Sequence, residues 1–155
     1  MIKISIICNN RNWTKLVKNP NKLIQKQINN FNKKFKKYKK KNIFCTILLS
    51  GNSEIKKLNK KFRKKNKATD VLSFPYYSKR ELTNRLKKEN EIYLGDIIVN
   101  FNMVKNKKNK ASFKSEFNKL WIHGLTHLFG YDHKKDKDFY KMNRVEKKFI
   151  SYIND

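Results

Sequence analysis

The segment His123-Gly-Leu-Thr-His127-Leu-Phe-Gly130-Tyr-Asp132-His133 contains all three histidines of the chain, and their spacing dictates local structure. On a helix, residues four apart project about 40° from one another, so His123 and His127 can aim their imidazoles at one point if this stretch is helical. His133 could not reach that point if the helix ran on. Gly130 can take the left-handed conformation that ends a helix, letting the chain turn back and deliver the third imidazole. Three neutral imidazoles converging with a fourth position open is the arrangement of a catalytic zinc site. The spacing therefore predicts one Zn2+ per chain, held by His123, His127 and His133 at the end of a central helix.

The residues before the motif support that helix. Phe113, Phe117, Leu120, Trp121, Leu125 and Leu128 fall within one apolar arc, the face that docks on a sheet. His123 and His127 project onto the border of the arc, and Glu116 lies on the same border two turns earlier. Ile2 to Cys8 reads as a strand ended by a polar turn. The continuous run from Asn42 to Leu49 reads as a buried strand, Val71 to Phe74 before Pro75 as a short strand at an edge or near a site, and Tyr93 to Val99 as a fourth. Helical spacing recurs from Pro20, with Asn19 as the cap and Pro20 at the first helical position. A further helix is expected after Ser53 as its cap, carrying Ile55, Leu58 and Phe62. The charged stretch from about Ser78 to Asn90 reads as a loop or short helix, and a last amphipathic segment from about Lys137 to Tyr152 carries Phe139, Met142, Val145 and Phe149. The expected fold is α+β: a small mixed four-stranded sheet with helices packed on it, spanning residues 1–155 as a single domain.

Composition bounds the partners. Thirty-nine Lys and Arg against twelve Asp and Glu give a formal charge of +27, which attracts polyanions. The excess is nearly all lysine, and asparagine and isoleucine are also abundant. An AT-rich genome produces that combination by codon drift, so the charge favours RNA or DNA without establishing either. Cys8 and Cys45 both sit in apolar strand-like runs and read as small buried hydrophobes in a reducing compartment. The apolar opening is too short for a signal peptide, and no run approaches the length of a bilayer span, so the expected location is the cytoplasm, with no membrane.

With these elements placed, the chain resembles the YbeY family of bacterial endoribonucleases, metal-dependent rRNA maturation factors. The resemblance rests on ordered blocks: Leu58-Asn59-Lys-Lys-Phe62-Arg63 followed by Thr69-Asp70-Val71-Leu72-Ser73-Phe74-Pro75, then Leu94-Gly95-Asp96-Ile97, then Glu116 with the histidine motif. It implies a single-strand-specific, zinc-dependent endoribonuclease that processes the 3′ end of small-subunit rRNA and takes part in ribosome quality control, with rRNA and the ribosome as partners. On this reading Arg63 holds the phosphate, since its planar fork can clamp two oxygens and offset charge built up in phosphoryl transfer. Glu116 has three roles open to it: orienting a ligand histidine, acting as a base, or pairing with a nearby lysine. Asp132 either accepts from a histidine or caps the turn.

Two other functions fit parts of the pattern. The frame His-x-x-x-His-x-x-Gly-x-x-His also occurs in metzincin proteases, which makes a metallopeptidase the first alternative. Those enzymes place a glutamate after the first histidine, whereas Gly124 stands here, so the usual general base is missing. The second is a non-catalytic, ribosome-associated RNA-binding protein with a structural metal, which would require a closed fourth ligand.

Overall fold

Four strands, β1 (Ile2–Cys8), β2 (Asn42–Ser50), β3 (Val71–Pro75) and β4 (Glu91–Asn100), pair in the order β1-β2-β4-β3 in the computed structural model, which describes residues 1–154. β1–β2 and β2–β4 are parallel and β3–β4 antiparallel, so the sheet is mixed and the fold is α+β, as expected. The helices are α1 (Asn12–Leu16), α2 (Pro20–Lys34), α3 (Asn52–Arg63), α4 (Lys79–Lys88), α5 (Lys110–Leu128) and α6 (Asp136–Ile153). Among the described residues no helix is long and apolar enough to cross a membrane.

Strand alternation sorts the side chains onto two faces. Ile4, Cys45, Ile47, Ile97 and Val99 turn to one face, where Trp13, Ile28, Phe31, Phe117, Trp121 and Leu125 close the main core. On the other face α3 lays Ile55 over Leu72 and Ile98, a smaller cluster. α5 crosses the main face as the arc in its sequence requires: Phe113, Phe117, Trp121, Leu125 and Leu128 are buried. Asn19 accepts from the Lys22 amide at 2.9 Å and Pro20 opens α2, the start expected from sequence.

Several local expectations are corrected. α3 begins at Asn52, with Gly51 and not Ser53 at its cap position. Its first turn is served from a distance, since the Asn102 side chain accepts from the Asn52 amide at 3.1 Å. The charged stretch after Ser78 is a helix, fixed by a reciprocal capping box between Ser78 and Glu81 and anchored by buried Leu82. Phe139, expected on the apolar stripe of α6, is exposed, and the buried stripe is Met142, Phe149 and Ile153. Only Cys45 is buried, which pushes its thiol up to about 12, while Cys8 is exposed at the end of edge strand β1. α1 carried no helical signal long enough to read. It exists to seat Trp13, fully buried, whose indole N–H donates to the Ser50 carbonyl at 3.0 Å.

Candidate metal centre

α5 ends as Gly130 dictates. That residue has φ +82°, its amide donates to the His127 carbonyl at 2.8 Å, and the Tyr131 amide donates to the Thr126 carbonyl at 3.3 Å, the Schellman pattern. The reversal returns His133 to the helix end, and one ring nitrogen from each of His123, His127 and His133 lies within 4.8 Å of the others. Asp132 serves the turn by accepting from the His133 amide at 2.8 Å.

The tautomers follow from the partners. His127 Nδ1 lies 2.9 Å from the Tyr131 carbonyl oxygen, which can only accept, so Nδ1 carries the proton. His123 Nδ1 lies 2.7 Å from a Glu146 carboxylate oxygen and donates in the same way. Both Nε2 atoms are then left with lone pairs, and they face each other at 3.1 Å. Two acceptors at that distance repel unless a cation lies between them. Tetrahedral zinc with bonds of about 2.0–2.1 Å sets its ligand atoms about 3.3 Å apart, so the gap fits an ion of that size. Burial first, and then neighbouring His123, hold the His127 imidazole below its ordinary value, which favours the neutral, ligating form. Among the described residues the cluster consists of these three histidines.

The neighbouring residues separate into those that join this site and those that do not. Gly124 is buried against the sheet: a Cβ there would meet Ile97 Cγ2 at 2.6 Å and Ser73 Oγ at 3.1 Å. The position a metzincin gives to its glutamate therefore faces the core here and has no space for any side chain. Arg63, at the end of α3, donates to the Ser73 carbonyl at 3.1 Å, so Ser73 neighbours both the guanidinium and the residue after the first histidine. Glu116 pairs with Lys119 at 2.7 Å, the third of the roles open to it. Seven residues of helix carry it about 10 Å along the axis from His123, too far to touch that ring.

The sequence profile described as endoribonuclease YbeY matches residues 7–154. The chain belongs to the YbeY family. A protein named endoribonuclease YbeY from Pelagibacter ubique is 44% identical over 155 residues, covering 99% of this chain and 97% of the relative. Another of that name, from Buchnera aphidicola, is 38% identical over 119 residues, 75% of this chain and 72% of its own. The solution structure of TM1509 from Thermotoga maritima, 27% identical, superposes over 97% of this chain and 89% of its own with a TM-score of 0.58. A YbeY protein is an endoribonuclease by family, a hydrolase of internal RNA bonds.

One residue that contacts the histidine cluster of this YbeY chain escaped sequence reasoning: Glu146, on α6. A signal was present. Met142, Glu146, Phe149 and Ile153 share one helical face, so Glu146 is a carboxylate within an apolar stripe, where an acid needs a buried partner.

Proposed function

We propose that this protein is a zinc-dependent endoribonuclease directed at single-stranded RNA, acting in the cytoplasm on ribosomal RNA, in maturation of the small-subunit 3′ end and in ribosome quality control. The observation that carries the metal is the pair of Nε2 lone pairs held 3.1 Å apart by two committed Nδ1 donors. Family membership and the charge of +27 support RNA as the substrate.

His123, His127 and His133 hold the ion. Bound there, zinc supplies Lewis acidity that activates water near neutral pH and draws charge from a phosphate oxygen. Glu146 fixes the His123 ring and raises its donor strength, and the Tyr131 carbonyl does the same for His127. Arg63 binds the scissile phosphate. Its bond to the Ser73 carbonyl steadies the guanidinium at the β3 edge, and its remaining N–H groups offset charge as the phosphate is attacked. Glu116 stays with Lys119 and outside the ligand set.

The test is cleavage of an unstructured RNA oligonucleotide by zinc-loaded protein, beside the same sequence annealed to its complement and beside unstructured casein. Cuts in the single strand alone are expected, absent in His127→Ala. Cleavage of casein, or of neither RNA, would overturn the reading.

A further inference from the structure

α3 covers only part of the sheet's second face. It stops at Arg63 after burying Leu72 and Ile98. Beyond it the register sets Lys3 beside Phe44 and Phe44 beside Tyr93, and in the next row Ser5 beside Thr46, Thr46 beside Asp96 and Asp96 beside Phe74. Period two puts these side chains opposite the main core, where the last turn of α3 reaches Phe74 through Phe62 and Arg63, while Lys3 and Ser5 are exposed and Phe44, Thr46, Tyr93 and Asp96 half-buried. Phe44, Phe74 and Tyr93 are half-buried, while Phe62 and Tyr76 are 58% and 68% exposed.

The rings are grouped, and cations lie over Phe44, Phe62 and Phe74. Phe62 stands against Phe74 with centroids 5.3 Å apart, and Tyr76 against Tyr93 at 6.1 Å. Lys3 lies over Phe44 at 5.3 Å, Lys61 over Phe62 at 5.2 Å and the Arg63 guanidinium over Phe74 at 5.8 Å. The one carboxylate in these rows, Asp96, accepts from the Tyr93 hydroxyl at 2.5 Å. A face of rings with cations at the rim suits a ligand that has flat apolar groups and negative charge at short, regular intervals. A single strand of RNA is such a ligand. A duplex is not, because its bases are stacked on one another and offer no free faces.

Arg63 links this face to the histidines. Its guanidinium lies over Phe74 on the open side and donates to the carbonyl of Ser73, whose hydroxyl lies beneath Gly124 on the other. We propose that the open half of the sheet is a stacking track for unpaired bases of single-stranded RNA, which passes round the β3 edge at Arg63 into the metal centre. The inference rests on the endoribonuclease reading and names where that enzyme holds the flanking strand. Phe62, Phe74, Tyr76 and Tyr93 stack on bases, and Lys3, Lys61 and Arg63 meet the phosphates.

Tyr76→Leu and Phe62→Leu keep apolar contact and remove the ring, so they separate stacking from general stickiness. Binding is measured by fluorescence anisotropy on metal-free full-length protein, which makes it independent of cleavage. With a single-stranded oligonucleotide, each variant is expected to bind about five- to tenfold more weakly than wild type, and the double variant more weakly still. With an abasic strand of equal length and charge, wild type and variants should bind alike. Equal binding of the normal strand by all proteins would overturn the track while leaving the endoribonuclease reading standing. So would an equal loss on the abasic strand, which would assign the effect to phosphate or fold. If sedimentation shows wild-type self-association that the variants abolish, the face belongs to a second copy and the proposal falls. The reverse case is also distinguishable: weaker binding by the variants with no cleavage by wild type would keep the track and remove the enzyme. Circular dichroism of both variants checks that the exposed substitutions leave the fold intact.

Discussion

At the C-terminal end of α5, His127 and His123 are each aimed by a partner, the Tyr131 carbonyl and Glu146, and the Gly130 turn returns His133 to the same point. At the C-terminal end of α2, the stretch from Lys33 to Lys41 is just as concentrated in one residue type, yet its side chains diverge. Lys34 donates to the Ser151 and Asn154 carbonyls at 3.1 and 2.7 Å, Lys41 to the Glu89 carbonyl at 2.6 Å, and Lys37 lies over the Tyr38 ring. Phe35 and Tyr38 turn inward against Phe129. Two of these lysines thus supply partners to the ends of α6 and α4, where backbone carbonyls lack helical donors. Residues of one kind form a site when directional partners aim them at a single point. The same density without convergence is spent on separate carbonyls, rings and solvent.

The largest expected effect lies on the histidine side. His123→Ala or His127→Ala should lower RNA cleavage on the order of a thousandfold or more, since each removes a ligand as well as its share of the Lewis acid. Single-turnover assays at saturating metal would measure it, and near-wild-type rates would erase the distinction between the two helix ends. Arg63→Ala should cost about a hundredfold in cleavage with metal content unchanged, and Arg63→Lys should recover only part because an ammonium lacks the fork. Glu146→Gln should weaken metal affinity about ten- to a hundredfold in a chelator competition. Glu116→Gln should leave that affinity nearly unchanged, so the paired measurement decides which carboxylate supports the histidines. Gly124→Ala should destabilise the fold by about 1–3 kcal/mol in urea unfolding, because its methyl group must displace Ile97. The smallest effect belongs to the lysine stretch. Replacing Lys36, Lys39 and Lys40 together with Gln should change the cleavage rate by less than about twofold at physiological salt. A steep loss there would show that diffuse charge can make an RNA site without convergence.

What could be read from the chain follows the range of the forces involved. The histidine cluster was legible because i, i+4 spacing and a helix-ending glycine are local rules, and the Asn19–Pro20 start of α2 and the buried run of β2 were legible for the same reason. Glu146 was not, because its partner lies 23 residues away and only tertiary packing brings α6 across α5. For Glu116 the helical projection left three roles open, because sharing a border fixes the angle around the axis but not the distance along it. The start of α3 was misplaced because its donor-satisfying group, Asn102, comes from after β4. Cys8 read as buried because strand alternation cannot tell where the covering helices stop.

Metal content tests the account most directly. Full-length protein purified without a metal-binding tag and dialysed against buffer should carry about one transition metal ion per chain, zinc above all, by elemental analysis, and His127→Ala prepared in parallel should carry close to none. Wild-type protein that holds no metal and takes up no added zinc would contradict the assignment of the three histidines, and with it the chemistry built on them.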